Sequence, residues 1–261
     1  MLVFPQLVTG ASALYPVLKA RRKRTVVNVV GDGSRDVFAD NEAAWVEWEL
    51  HARGMTSAEW TAIDDLLQAV AGRWQTFTFL DPTSNLLIQS ELLSSAAWTK
   101  GALVQITPGI ADPLGTTRAT TVSNGGSTAS GISQVLAVPG GFQYCLSAWI
   151  RSSASTSITL SVGASSRTVS ASPVWSRVSL ASSSGSPSAS TVTFGLQLPA
   201  GGSADIFGLQ VEAQLAPSDY KVTGTTSGIY PQARFAADQI PFTARGTDVY
   251  DAIIRIVSPE N

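Results

Sequence analysis

The chain has 261 residues, 44% of them hydrophobic and 14% charged, and its 17 basic and 19 acidic side chains leave a net charge of −2. So even a balance supplies no field to hold nucleic acid or an anionic membrane, and so much apolar character excludes a disordered chain. The lone cysteine, Cys145, excludes an intrachain disulfide framework and a cysteine-clustered zinc site.

At the N-terminus, MLVFPQLVTGASALYPVLKARRKR places its basic cluster after the apolar stretch, the reverse of a secretory signal. No later run reaches the ~18 apolar residues of a membrane-spanning helix, so a soluble protein without signal-peptide export or membrane insertion is expected. The run RTVVNVVGDGSRDVFAD has two apolar stretches around Gly31, Asp32 and Gly33, which reads as strand, turn, strand. It also resembles the start of a calcium loop, but Val37 and Ala43 stand where that loop needs glycine and a bidentate glutamate. Next, AAWVEWELHARGM alternates Val46, Trp48 and Leu50 against Glu47 and Glu49, the period of a half-buried strand, with Trp45 breaking the pattern at an edge.

In MTSAEWTAIDDLLQAVAGRW, Thr56 and Glu59 are spaced as a capping box. Trp60, Ile63, Leu67 and Val70, widened by Leu66, recur at helical spacing, and Gly72 supplies a left-handed stop. One amphipathic helix must therefore lie on a sheet, and QTFTFL is the strand that follows it.

From Asn85 to about Thr223 the texture changes. The first 82 residues carry eight basic and ten acidic side chains, whereas the longer span 86–222 carries six and five. Eight short strand candidates separated by Gly, Pro and Ser turns fill it: ALVQITPG, TRATTVS, GISQVLAVPG, FQYCLSAWIRSS, SITLSVG, SRVSLASSS, STVTFGLQLPAG and ADIFGLQVEAQLA. That spacing predicts a two-sheet sandwich or jelly roll without a helix of any length. Cys145 lies in the fourth candidate as a small buried apolar group. After Thr223 the charges return in ARFAADQIPFTARG and DVYDAIIRIVS, and roughly 38 residues are too few for a core of their own. The expected protein is therefore mainly β: a discontinuous β-sandwich or barrel-like domain with one amphipathic helix, formed by residues 1–84 and 224–261, and an inserted β-sandwich over 85–223.

The order of elements from YPVLKARRKRTVVNVVGDG through WVEWELHARGMTSAEWTAIDDLLQAVAGRWQTFTFLDP, continued by YPQARFAADQIPFTARGTDVYDAIIRIVS, resembles the distal tail and minor tail proteins of long-tailed bacteriophages. The middle segment opens with NLLIQSELLSSAAWTK and closes with GLQVEAQLAPSDYKVT, and it is similar to the carbohydrate-binding-type jelly rolls found within phage tail proteins. These resemblances imply a homo-oligomeric ring, usually of six subunits, between the tail tube protein and the hub or baseplate, made in the host cytoplasm and located in the virion. They also imply a displayed module able to reach a host cell-surface polysaccharide. Related jelly rolls often hold a structural calcium, but no acidic cluster marks its ligands here.

Within FQYCLSAWIRSS, alternation sets Tyr144, Leu146, Ala148 and Ile150 on one face and Cys145, Ser147, Trp149 and Arg151 on the more polar other. A pyranose stacks its apolar face on an aromatic ring while its hydroxyls seek polar partners. Trp149 with Arg151 is accordingly the first candidate sugar-binding pair and Trp175 with Arg177 the second, each tryptophan having core packing as the competing role. Trp98 is assigned to the core. Lys19, Arg21, Arg22, Lys23 and Arg24 read either as a subunit contact or as an edge strand whose charges prevent further pairing.

No nucleophile elbow accompanies His51, the one histidine, and the carboxylates of the middle segment, Glu91, Asp112, Asp205, Glu212 and Asp219, fall mostly at its ends or turns. No catalytic residue, metal ligand or cofactor is expected. A free-standing carbohydrate-binding protein and a tail-associated glycan hydrolase are the alternatives.

Overall fold

The structure, a computed structural model, describes residues 1–260, with Asn41 and Glu42 described through their backbone alone. In chain order its elements are β1 (Val17–Val29), β2 (Arg35–Met55), α1 (Ser57–Ala69), β3 (Phe77–Leu80), β4 (Thr99–Lys100), β5 (Val104–Ile110), β6 (Ala119–Asn124) and β7 (Ser130–Leu136). They continue with β8 (Gln143–Arg151), β9 (Thr156–Val162), β10 (Ser165–Ala171), β11 (Ser176–Ser183), β12 (Val192–Leu198), β13 (Ser203–Glu212), β14 (Ile229–Phe235), β15 (Phe242–Gly246) and β16 (Val249–Pro259). The protein is mainly β, with one α-helix among the described residues. It divides into two compact units: one of Met1–Leu7, Ala13–Phe79 and the chain from Tyr230 on, the other of Val8–Ser12 and Leu80–Ile229. Residues 80–84 and 224–229 thus pack with the middle segment, as does the short strap around Gly10, whose left-handed backbone lies against Leu215.

The first unit is a six-stranded sheet in the order β1-β2-β16-β14-β3, with β15 also on β16. Alternation in β2 puts Val46, Trp48 and Leu50 in the core, and Trp45 keeps that alternation on the outer face beside Glu47 and Glu49. Phe4, Phe77, Phe79, Phe235, Trp48 and Tyr230 fill the inner side, with Trp48 edge-on to Phe79 at 5.1 Å and to Tyr230 at 4.6 Å. Helix α1 seals this core with Ile63, Leu66 and Leu67. Its start is the capping box read from the sequence: Glu59 N donates to Thr56 Oγ1 at 3.2 Å and Thr56 N to Glu59 Oε2 at 2.7 Å. At the other end both Ala71 and Gly72 are left-handed.

Strand β2 is longer than its alternating stretch suggested. RDVFAD and WVEWELHARGM form one 21-residue strand, whose first part pairs only with β1 across the turn at Gly31–Gly33. Pairing of β2 with β16 runs from Trp45 to Met55, so among the described residues no third strand pairs with the ribbon before it.

The second unit is a sandwich of two five-stranded antiparallel sheets, β10-β9-β12-β7-β4 and β11-β8-β13-β6-β5. Successive strands switch repeatedly between the sheets, as in a jelly roll. Tyr144 of β8 meets Phe194 of β12 edge-on at 5.3 Å, and Leu86, Leu146, Ile150, Leu160 and Leu196 share their core with Trp98. All eight strands expected between Asn85 and Thr223 are present, and β4 and β10 join them. Asn85, fully buried, donates from Nδ2 to the carbonyls of Leu209 and Lys221, and its Oδ1 accepts from Leu87 N and Val211 N. Asp112 organises the turn before β6. Burial opposes its charge, but hydrogen bonds from Thr116 and from the backbone of Arg118, Leu114 and Thr116 outweigh that cost and hold the carboxyl down at about 2.

Replacing Thr56 by alanine leaves the helix start uncapped, so urea unfolding of Thr56→Ala is expected to show a loss of about 1 kcal/mol. Because the carboxyl of Asp112 is depressed in the folded state, its contribution is full above about pH 4 and is lost as pH falls toward about 2. Asp112→Asn should therefore be clearly less stable than wild type at neutral pH, and the gap in urea midpoint should close on acidification from about pH 4 to about pH 2.

Candidate functional site

The candidate sugar-binding residues all lie on the outer face of the sheet β11-β8-β13-β6-β5, and cross-strand register arranges them in two rows. In the first, Trp149 of β8 stands between Arg177 of β11 and Phe207 of β13. In the second, Arg151 of β8 pairs with Asp205 of β13, which pairs with Thr121 of β6. Trp175, two residues before Arg177 and just ahead of β11, extends the second row at its β8 end.

The four residues are brought together, but in the crossed combination. The Arg177 guanidinium lies 4.3 Å from the Trp149 ring centre and that of Arg151 lies 4.7 Å from Trp175. Sequence neighbours two apart share a face yet stand one behind the other along the strand, whereas residues opposite each other in register touch.

The rows differ in what covers them. A register shift after Phe207 places Gly208 with φ +64°, where a Cβ would come within 2.9 Å of the Trp149 ring and 3.4 Å of Tyr220. Tyr220 packs edge-on against Phe207 at 5.3 Å and against Trp149 at 6.3 Å, and its hydroxyl meets Ser90 Oγ at 2.9 Å. Burial raises the Tyr220 pKa, lowers that of Arg177 and pushes the Cys145 thiol up to about 11. Below the row, the buried carboxylate of Glu212 accepts from Gln210 Nε2, from Ser218 N and Oγ, and from Lys221 Nζ at 2.8 Å. The closing GLQVE and PSDYK motifs thus form a lock that folds the chain back over this face, and Trp149 is half-buried beneath it.

The second row remains accessible. Arg151 Nε donates to Asp205 Oδ2 at 2.8 Å and Thr121 Oγ1 to Asp205 Oδ1 at 2.6 Å. Together with Ser152, Ser153, Pro173 and Ser203 they line an open hollow of about 420 Å³. Asp205 and Thr121 complete the row and were not among the expected binding residues; the alternation of Asp205 with Phe207 was a sequence signal for Asp205, whereas Thr121 joins it only through the register of β6 with β13. The other sheet has a hollow of about 270 Å³ lined by Ser, Thr and Gly residues with Lys100, Ile132, Leu196 and Gln197, and by no aromatic ring.

In the first unit the basic cluster lies on β1. Lys19 turns inward, its Nζ 5.6 Å from the Trp48 ring and 5.8 Å from that of Tyr230. Arg21 pairs with Glu260 at 3.4 Å, Arg22 with Glu47 at 2.5 Å and Arg24 with Asp40 at 3.6 Å, all three arginines being mostly exposed. Lys23 falls at the register shift between Arg22 and Arg24. His51 Nε2 contacts Glu49 Oε1 at 2.8 Å, and Arg255, donating to the other oxygen, holds the Glu49 carboxyl below its ordinary value.

No family model matches this chain, and no curated protein does. Among solved structures it is similar to the CBM22-1 and GH10 modules of an endo-1,4-beta-D-xylanase from Clostridium thermocellum complexed with xylohexaose (TM-score 0.39, 13% identity, 51% of this chain and 28% of that one). It is also similar to the enzymatically active domain of tailspike protein 4 of bacteriophage CBA120 (TM-score 0.39, 15% identity, 51% and 22%) and to a CBM22-1 xylan-binding domain from Paenibacillus barcinonensis (TM-score 0.40, 11% identity, 55% and 98%). The chain spans less than a third of the length of the first two. These are similarities of chain path alone.

Proposed function

We propose that the protein is a structural subunit of a phage tail tip, a ring between tail tube and hub, whose middle unit binds carbohydrate at the host surface. The observation that carries the sugar reading is the row Arg151, Asp205 and Thr121 along an open hollow, with the Trp175 ring against the Arg151 guanidinium at the end of that row. A fork of arginine donors, a carboxylate and a hydroxyl held at fixed spacing suit the adjacent hydroxyls of a pyranose, and the half-buried indole beside them offers an apolar edge. Trp149 and Arg177 support this row from behind the lock. The reading is binding rather than hydrolysis, because Asp205, committed to Arg151, is the one carboxylate lining the hollow, and glycoside cleavage uses two across the scissile bond. The tail reading rests on the element order of the first unit, and the exposed Arg21, Arg22 and Arg24 are available to a neighbouring subunit there. Many copies around one axis would turn a weak single-site affinity into useful avidity.

A glycan array probed with the full chain should give binding that Arg151→Ala and Trp175→Ala each reduce about tenfold or more, with Val174→Ala as a neutral control. An array with no signal overturns the sugar reading. Light scattering after size exclusion should find an oligomer; a monomer at every concentration would replace the ring with a free-standing binding protein.

A further inference from the structure

The ribbon formed by β1 and the first part of β2 is unusual in being apolar and uncovered. Val27, Val29, Val30, Val37 and Phe38 are all exposed, Val37 at 62% and Phe38 at 56%. Among the described residues no third strand and no layer covers this ribbon, and two strands alone are marginal in water, so such a surface signals a missing partner. Register divides its side chains: Val27 faces Val37 on one side, while Phe38 faces Val26 on the other, in line with Asp36 and Asp40. Asp36 lies opposite Asn28, and Asp40 is paired with Arg24. One side of the arm therefore presents an aromatic ring between two carboxylates.

A surface of opposite character lies at the far end of the same sheet. Two adjoining hollows of about 350 and 300 Å³ share Pro241 and Ile253. Ile253 is 47% exposed and Phe242 49%, and Arg53, Arg245 and Arg255 stand around them. The result is an apolar trough with a cationic rim, set against carboxylates of its own at Asp251 and Glu49.

We infer that the arm of one copy docks in the trough of a second copy, Phe38 entering beside Ile253 and Asp36 meeting the arginine rim. The same copy cannot make this contact. Arm and trough belong to opposite ends of β2, and from Phe38 to the register shift near residue 43 the arm is about 17 Å long, while Arg53 lies about 33 Å beyond that shift at 3.3 Å per residue. Even an arm folded back on itself falls short. The contact joins two different surfaces, so repetition generates a ring or an open filament rather than a closed pair. The inference rests on the tail-ring reading above and supplies the contact that reading needs.

The test uses full chains carrying one new cysteine each, Phe38→Cys or Ile253→Cys. Both positions are exposed, so neither change removes core packing, and the native Cys145 is buried. Mild oxidation of the mixture should give a disulfide-linked species of twice the chain mass, at least about fivefold above either variant alone, and Phe38→Ser should weaken self-association about tenfold. If wild type is oligomeric but the mixture links no better than the separate variants, the arm-and-trough contact is wrong while the ring reading stands. A wild type that stays monomeric across the accessible concentration range overturns both.

Discussion

Strands β3 and β14 are neighbours in the sheet of the first unit, and that adjacency constrains everything between them. The chain leaves at Leu80 and must return at Ile229 within the spacing of two paired strands, about 4.8 Å. In a simpler protein a short turn would do this. Here a whole β-sandwich does it, and it succeeds because its own first and last residues are tied together. Asp81 N donates to Gly228 O and Gly228 N to Asn85 O, both at 2.8 Å, and Asn85 then reaches into β13 through Leu209 and Val211. A buried carboxamide with all its hydrogen bonds made is an unforgiving fastener, since losing it would leave several backbone groups buried without partners.

The same fastening decides which tryptophan stays available. Bringing the chain from β13 back toward Thr223 carries Ser218, Tyr220 and Lys221 across the outer face, over Trp149 and Phe207. Gly208 is the residue that permits so close an approach, because a side chain there would occupy the space of the indole. The polar row one step along the strands lies beyond the reach of this segment and keeps its access to solvent.

Much of this was legible in the sequence wherever the signal was local. The capping box at Thr56 and Glu59, the inward set Val46, Trp48 and Leu50 and the eight short strands all follow from periodicity or turn chemistry over a few residues. Strand β10 escaped because SSRTVSA is polar on both faces and offers no alternation of hydropathy; only the two-residue turn at Gly163 and Ala164 hints at it. The crossed arginine and tryptophan pairs were hidden for a different reason, as cross-strand register depends on bulges and loop lengths far from the residues concerned. The arm shows the limit of patterning itself: RTVVNVV and VF read as strand, turn, strand, and nothing in their order reveals whether a second layer covers them.

Strand β2 runs without interruption from the arm into the centre of the sheet, and this has a mechanical meaning. A pull on the arm along its length is delivered to the ladder with β16 in shear, so that the backbone pairs between Trp45 and Met55 share the load and must fail together. A pull across the strand would instead peel them one by one. The molecule is therefore a strong tether in the direction in which its arm points and a weak one at right angles to it.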